Sequence, residues 1–165
     1  MDILVTDANI WIDVDVGGLT EAFCDLSYQI VIPDALFQQE LQEHHSEVLK
    51  SGAELKTVSG SNVLRIVNWQ QDYQDASRLD LLALSLANQL NGILLSGDKA
   101  LRKAAKNEGV ECHGTIWVGD RLLNENLVSH VELRDAYQAM KDGDRRLPWS
   151  LIEERIHEWG TPPLE

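Results

Sequence analysis

Short apolar runs alternate along this chain with segments whose apolar residues recur every three or four positions. Residues 3–6 and 29–32 are mostly apolar and mostly β-branched, a composition typical of strands buried on both faces. Residues 93–95 predict a buried central strand, and residues 110–112 predict a strand at the edge of the sheet. Residues 62–68 are also rich in apolar side chains and predict a further strand.

Helical periodicity is clearest over residues 77–89, where apolar side chains at positions 79, 82, 83, 86 and 87 form one stripe. Pro33 favours the start of a helix that reaches about residue 46. Ser129 and Glu132 have the spacing of a capping box and predict a helix over residues 129–140. Helices are also predicted over residues 9–16, 20–27, 98–107, 115–123 and 149–159, and Asn9 is the expected capping residue of the first of them. Residues 55–59 are predicted as a short extended piece.

Strands that alternate with helices imply right-handed β-α-β units. The expected fold class is therefore α/β, a three-layer α/β/α sandwich around a central, mostly parallel twisted sheet. The length of 165 residues suits one domain with a sizeable core. We expect a single domain over residues 1–165, with its core at about 1–125 and a C-terminal helical extension at about 126–160.

Four carboxylates lie where such a sheet can bring them together, because ligands bind beyond the carboxyl ends of parallel strands. Asp7 follows the first strand and Asp98 follows the strand at residues 93–95, so both point toward this crevice. Asp80 lies in the first turn of its predicted helix, and Glu40 lies further into another. The alternative interpretation has Asp7 and Asp98 as helix N-caps, and Glu40 and Asp80 on solvated helix faces. Clustered carboxylates repel one another, and a protein that gathers them usually holds a hard cation such as Mg²⁺ or Mn²⁺. The pattern therefore predicts a metal site, and a bound ion of this type suggests phosphate chemistry.

The formal net charge of −13 excludes a broad basic face as the main means of binding nucleic acid. A nucleic-acid enzyme is still compatible with this charge, because metal ions and local cations such as Arg102, Lys103 and Lys106 can bind phosphates. The charge is also consistent with a basic segment of a partner protein docking on the surface.

Other features of the chain indicate a soluble, cytoplasmic protein. No run of about 18 apolar residues predicts a transmembrane helix, so no membrane contact is expected. The acidic start of the chain lacks the basic region of a signal peptide. Cys24 and Cys112 are too few for a disulfide framework or a zinc site. His44 and His45 have no third ligand nearby in sequence and are interpreted as surface residues.

The four acids and their neighbours resemble the motifs of PIN-domain proteins, the family of VapC-like ribonuclease toxins and their relatives. The run VTDAN at residues 5–9 resembles the opening motif, and Glu40, in a helix after an Ile-Pro segment, matches the second acid. Asp80 in SRLDLLALSLA matches the third acid. The run SGD at residues 96–98 matches the fourth, with a hydroxyl residue two places before the aspartate. The resemblance covers roughly residues 1–125.

The resemblance implies a ribonuclease that hydrolyses RNA phosphodiester bonds with the help of one or two Mg²⁺ or Mn²⁺ ions. Asp7 and Asp98 would be direct metal ligands, and Asp80 and Glu40 would complete the site directly or through water. All four would thus be both metal-binding and catalytic residues. One departure is that residues 99–103 contain no acid, although PIN proteins often carry another acid shortly after the fourth.

Three polar residues near these acids would support them. Asn9 and Ser96 would each hold a carboxylate or a phosphate oxygen by a hydrogen bond. Arg102 would contact a phosphate, although an ordinary surface cation on a helix is the alternative interpretation.

The resemblance also bears on partners. A ribonuclease of this size fits the toxin of a toxin–antitoxin pair, and such a toxin has a protein antitoxin that blocks its site, commonly with a basic residue. Trp149 and Trp159 on the terminal helix suggest packing against a second copy in a homodimer.

Two other functions are compatible with parts of the pattern. A PIN-like domain that binds nucleic acid or protein, with weak or no catalysis, fits the acidic composition and the absence of an acid at residues 99–103. A phospho-accepting signalling domain would need an adjacent pair of acids after the first strand, whereas Asp7 follows Thr6 alone.

Overall fold

Five parallel strands form the central sheet of the protein, whose computed structural model describes all residues from Met1 to Glu165. The strands are β1 (Asp2–Thr6), β2 (Tyr28–Pro33), β3 (Glu54–Lys56), β4 (Ile93–Leu95) and β5 (Cys112–His113). Their order across the sheet is β3-β2-β1-β4-β5, and every neighbouring pair is parallel. The predicted fold class, an α/β sandwich with a parallel central sheet, is confirmed.

Ten helices surround or follow the sheet. They are α1 (Ala8–Val16), α2 (Thr20–Cys24), α3 (Asp34–Leu36), α4 (Glu47–Lys50), α5 (Gly60–Asp72), α6 (Arg78–Leu90), α7 (Lys99–Asn107), α8 (Thr115–Asn124), α9 (His130–Asp142) and α10 (Trp149–Glu158). None of them combines the length and the apolar character that crossing a membrane requires.

The strand order places a ligand-binding crevice beside β1. The chain passes from β1 outward to β2 and β3, and then returns to the other side of β1 for β4 and β5. Open α/β sheets bind ligands where the order reverses in this way, beyond the carboxyl ends of the two strands. Thr6 of β1 pairs with Leu95 of β4 in the sheet, so Asp7 and Ser96 leave it side by side.

The helices cover the sheet with a hydrophobic core of 40 buried residues. Helix α6 is deeply enclosed, because each residue from Leu81 to Ala87 is buried. Each fully buried Leu or Val contributes about 1.5–3 kcal/mol relative to an exposed side chain. The same core includes Leu133, Met140 and Ile152, so the C-terminal helices pack onto the body that holds the sheet.

The strand predicted over residues 62–68 is wrong, because this segment lies within helix α5. Its two buried residues, Ile66 and Trp69, are three positions apart, which is helical spacing. Val63, Leu64 and Val67 are 38%, 71% and 53% exposed. The strand that pairs with β2 is β3 instead, and all three of its residues are exposed at the edge of the sheet.

Other predicted boundaries shift by smaller amounts. The helices predicted over residues 77–89 and 98–107 are confirmed as α6 and α7, and the strand over residues 93–95 is confirmed as β4. The edge strand β5 begins at Cys112, two residues after the predicted start at residue 110. The helix predicted to run to residue 46 leaves regular α geometry after Leu36.

Candidate active site

Asp7 follows β1 at the bottom of the crevice and is only 2% exposed. Its Oδ1 accepts a hydrogen bond from the Ile10 backbone N–H at 2.9 Å and thereby caps α1. Asp7 rather than Asn9 is thus the N-cap, as in the alternative interpretation of this acid. Its Oδ2 accepts a hydrogen bond from the Ser96 hydroxyl at 2.5 Å. The side chain is therefore held in one orientation from both sides.

Ser96 connects Asp7 to Asp98. The Ser96 hydroxyl oxygen accepts a hydrogen bond from the Asp98 backbone N–H at 3.1 Å while it donates to Asp7. Asp98 caps α7, because its Oδ1 accepts from the Leu101 backbone N–H at 2.8 Å. Its Oδ2 makes no hydrogen bond, and the residue is exposed. The two capping aspartates are thus coupled through one hydroxyl, and Asp98 keeps a free oxygen toward solvent.

Asp80 approaches the same region from the first turn of α6. It forms a capping box with Ser77, in which the Ser77 N–H donates to Asp80 Oδ2 at 3.2 Å and the Asp80 N–H donates to Ser77 Oγ at 3.0 Å. The negative charge of Asp80 raises the pKa values of both Asp7 and Glu40. Asp80 therefore links those two carboxylates electrostatically.

Burial is the main reason that the pKa of Asp7 rises to about 6. The hydrogen bonds from Ser96 and Ile10 favour the charged form and lower the pKa, but they do not offset the loss of solvent. The charges of Asp80 and Asp13 raise it further. A cation close to this carboxylate would oppose those effects by favouring the ionised form.

Glu40 lies in a π-helical turn, Phe37–Leu41, that continues α3. The Gln42 N–H donates to the Phe37 carbonyl, five residues back, at 2.8 Å. Such turns insert an extra residue and rotate the side chains that follow, and they are frequent at functional sites. The Glu40 side chain is exposed, yet partial burial of its carboxyl and the charge of Asp80 raise its pKa.

These contacts test whether the predicted residues suit a metal ion. The Ser96 hydroxyl links the Asp7 carboxylate to the Asp98 backbone N–H. The charge of Asp80 raises the pKa values of Asp7 and Glu40. The donors are carboxylate oxygens, which suit Mg²⁺ or Mn²⁺. No three acidic, His or Cys side chains are close enough in this arrangement to hold an ion. The chemistry of the donors therefore fits the ion, while binding would need the side chains to move closer together.

A second buried acid, Asp13, is not singled out by the sequence. It lies on α1, is 5% exposed, and accepts hydrogen bonds from Thr115 Oγ1 at 2.7 Å and from Arg145 Nε at 2.6 Å. Arg145 Nη2 also donates to Asn9 Oδ1 at 3.1 Å, so the expected support residue Asn9 contacts an arginine. An acid flanked by Trp11 and buried apolar neighbours on a short helix is the only sequence signal for this position.

A cavity of about 650 Å³ opens beside Asp98. Arg102 of α7 and Arg146 of the segment between α9 and α10 border it, together with His113 and Trp117. Of the four predicted carboxylates, Asp98 alone borders this cavity. The cavity therefore adjoins the acidic cluster, which consists of Asp7, Glu40, Asp80 and Asp98, without enclosing it.

A parallel sheet with acids gathered where its strand order reverses defines the general class of this protein, an α/β protein with an acidic crevice. A family model described as a PIN domain, DUF3368, matches residues 3–161. The chain belongs to this family of PIN domains, so the resemblance noted from the motifs is confirmed. PIN domains are generally nucleases, and they generally use divalent metal ions.

A solved structure with a similar fold belongs to a PilT N-terminus domain protein from the hyperthermophilic archaeon Sulfolobus solfataricus P2. Its sequence is 14% identical, and the match covers 74% of this chain and 92% of that chain with a TM-score of 0.47. No curated protein has a sequence that matches this chain.

Proposed function

We propose that this protein is a metal-dependent endoribonuclease that hydrolyses RNA phosphodiester bonds beyond the carboxyl ends of β1 and β4. The observation that carries the proposal is the hydrogen-bonded series Asp7–Ser96–Asp98 at the strand ends, with Asp80 close enough to raise the pKa of Asp7. Membership of the PIN family supports the nuclease class.

In this proposal the four carboxylates Asp7, Glu40, Asp80 and Asp98 hold one or two Mg²⁺ or Mn²⁺ ions. A bound ion would supply charge stabilisation at the phosphate and favour ionisation of water at the site. Mutual repulsion between Asp80 and its two neighbours gives a reason for cation binding, since a cation relieves the repulsion that raises the pKa values of Asp7 and Glu40.

Other residues of the chain keep the site ordered and meet the substrate. Ser96 holds the Asp7 carboxylate and the Asp98 backbone at once, so it keeps the two acids in a constant relative position. Arg102 is exposed and would contact a phosphate next to the scissile bond. Asn9 would orient Arg145 rather than a carboxylate, because its Oδ1 already accepts from that guanidinium.

The biological role that we propose is the toxin of a toxin–antitoxin pair. The proposed partners are an RNA substrate, an antitoxin protein that blocks the acidic crevice, and a second copy of this chain in a homodimer. The resemblance to ribonuclease toxins supports the first two. Trp149 and Trp159 pack against the core of their own chain, so they offer less support for the homodimer than the sequence suggests.

A second candidate is a PIN-like domain that binds nucleic acid or protein with weak or no catalysis. Residues 99–103 contain no acid and the formal net charge is −13, and both observations favour this alternative. Calorimetric titration with Mn²⁺ separates the candidates. Binding that Asp7→Asn abolishes supports the ribonuclease, and failure to bind either Mn²⁺ or Mg²⁺ at millimolar concentration contradicts it.

The direct experiment measures cleavage of labelled RNA with Mn²⁺ by the wild type and by Asp7→Asn, Asp80→Asn and Asp98→Asn. Asparagine can still cap a helix, so each change removes a charge and leaves the capping acceptor. We expect losses of roughly 100-fold or more, because even residues that only orient metal ligands cost 10–100-fold when they are replaced.

The matched control is Asp2→Asn. Asp2 is exposed at the amino end of β1, whereas Asp7 follows the carboxyl end of the same strand. This variant should cleave RNA at the wild-type rate. If the wild type and Asp98→Asn cleave equally, the activity comes from a contaminant and the proposal fails.

A further inference from the structure

The cavity beside Asp98 differs in charge from the rest of this acidic protein. Arg102, Arg145 and Arg146 all border it, although the whole chain has a formal net charge of −13. Three carboxylates border it too, and one of them, Asp13, is already paired with Arg145 at 2.6 Å. The cavity therefore contains one neutralised pair, two arginines without a carboxylate partner, and two further carboxylates, Asp98 and Asp144, so it is neutral within an acidic protein.

Arg102 and Arg146 contact neither an aromatic ring nor a carboxylate, unlike most arginines of this chain. Five of its eight arginines contact an aromatic ring or a carboxylate. The other three are Arg78, Arg102 and Arg146, and two of them border the cavity. A guanidinium without a partner is well suited to bind a phosphate, because its donors form a planar fork that matches phosphate oxygens.

An aromatic pair borders the same cavity. The His113 and Trp117 rings stack with 4.7 Å between centroids and an angle of 5° between planes. Glu111 holds the imidazole through a contact of 2.9 Å to Nε2, so the ring is fixed in orientation. The His113 side chain is 30% exposed, and a further flat ring could extend the stack on its outer face.

We propose that this cavity is a subsite for one nucleotide of single-stranded RNA, next to the phosphate that is cleaved. The phosphate of this nucleotide contacts Arg102 and Arg146, and its base stacks on His113. Unstacked bases of single-stranded RNA are recognised in this way, on aromatic or histidine side chains, whereas paired bases are not available. The volume of about 650 Å³ lies within the usual range of about 300–1,000 Å³ for a small-ligand site.

The subsite rests on the proposed ribonuclease function, because Asp98 joins the cavity to the acidic cluster. It adds a substrate preference that the four carboxylates alone do not supply. Carboxylates and a metal ion recognise any phosphodiester, while a stacked base and an arginine-bound phosphate select an unpaired strand.

The experiment measures binding and cleavage separately. Binding of a short fluorescent single-stranded oligoribonucleotide is followed by anisotropy in EDTA, so that no turnover occurs, with an RNA duplex as the comparison. Cleavage with Mn²⁺ then gives KM and kcat. The variants are Arg146→Gln, His113→Ala and His113→Phe, and the control is Arg65→Gln, an exposed arginine on α5 outside the cavity.

We expect Arg146→Gln and His113→Ala each to weaken single-strand binding and raise KM by about 5-fold or more, with kcat little changed. His113→Ala removes base stacking, which costs at least this much, and Arg146→Gln removes a charge-assisted hydrogen bond to the phosphate. His113→Phe should restore binding, because phenylalanine keeps a flat ring. Arg65→Gln should match the wild type, and the duplex should bind less tightly than the single strand.

The outcomes separate this subsite from the ribonuclease. If the wild type cleaves RNA but the cavity variants behave like Arg65→Gln, the subsite is wrong and the ribonuclease stands. If RNA is not cleaved but single strands bind through Arg146 and His113, the ribonuclease is wrong, and the placement of the subsite next to a cleaved phosphate is overturned with it. Equal affinity for duplex and single strand overturns the subsite. An acidic peptide that binds through Arg146 while RNA does not would assign the cavity to a protein partner and also overturn it.

Discussion

The Ser96 hydroxyl donates a hydrogen bond to Asp7 Oδ2 at 2.5 Å, joining two residues that lie 89 positions apart in the chain. The two residues meet because β1 and β4 are neighbours in the sheet and each residue directly follows its strand. The contact closes the bottom of the crevice and holds a buried carboxylate that α1 alone would orient from one side only.

Replacing Ser96 with Ala should destabilise the fold and impair the site together. Asp7 Oδ2 and the Asp98 N–H both lose their partner, and a buried polar group without a partner costs about 1–3 kcal/mol. Urea denaturation at neutral pH measures the free energy of unfolding. Ser150→Ala is the matched control, because Ser150 is exposed on α10. Equal stability of both variants would show that the Ser96 hydroxyl is not needed.

The pH dependence of stability should carry a contribution from Asp7. Its pKa is about 6 in the folded protein and 3.8 as an unperturbed group, so between these values the folded state keeps a proton that the unfolded state has lost. Stability from this group is therefore complete below about pH 4 and is lost as the pH rises through 6, by on the order of 2–3 kcal/mol.

Urea denaturation from pH 4 to 7 tests this dependence when the wild type is compared with Asp7→Asn. The free energy of unfolding of the wild type should fall relative to that of the variant as the pH rises. Asp2→Asn, altered at the exposed end of β1, should follow the wild-type curve. Parallel curves for the wild type and Asp7→Asn would contradict the raised pKa.

The buried pair Asp13–Arg145 should fasten the segment between α9 and α10 to α1. Asp13 is nearly enclosed and Arg145 is partly buried, so removing one partner leaves an uncompensated charge. We expect Arg145→Met to cost about 3 kcal/mol, within the range known for broken buried pairs.

A double-mutant cycle with Asp13→Asn measures the coupling between Asp13 and Arg145. The double variant should be less destabilised than the sum of the two single variants, because neither charge is then left alone. Arg78→Met controls for the loss of an exposed arginine that contacts neither an aromatic ring nor a carboxylate. Additive effects of the two single changes would mean that the pair does not contribute as a unit.

Helix α8 packs against α9 so closely that Gly119 cannot be enlarged. A Cβ at this position would overlap the Tyr137 hydroxyl oxygen and lie 3.3 Å from a Leu133 methyl carbon. Gly119→Ala should therefore destabilise the protein, although the same change at an open helix position stabilises it by about 1 kcal/mol. Gly60→Ala at the start of α5, where nothing lies within 4 Å, is the matched control.

Tyr137→Phe provides the rescue for this substitution. The Tyr137 hydroxyl is buried without a hydrogen-bond partner, so its removal should cost little by itself. Thermal unfolding of the two single variants and of the double variant should show a smaller cost of Gly119→Ala when the hydroxyl is absent. If Gly119→Ala costs as much in the presence of Tyr137→Phe as in the wild type, the Tyr137 hydroxyl is not the source of the destabilisation.

Elements with a repeated burial pattern could be predicted from local sequence. The apolar stripe at residues 77–89 indicates helix α6, and the apolar run at residues 93–95 indicates β4, because each pattern reflects which face is buried. The pattern misleads at residues 62–68, where β-branched residues suggest a strand. The exposure of Val63 and Leu64 in α5 follows from packing that a local pattern does not contain.

The sequence by itself determined the α/β class and which four acids form the proposed site, because motif spacing and strand ends are local features. The tertiary structure alone decided which groups meet. The strand order brings Ser96 to Asp7, a π-helical turn carries Glu40, and Arg145 reaches Asp13 across 132 positions. The physical reason is that hydrogen bonds and ion pairs act over a few ångströms in space, and strand order and helix packing set those distances independently of separation along the chain.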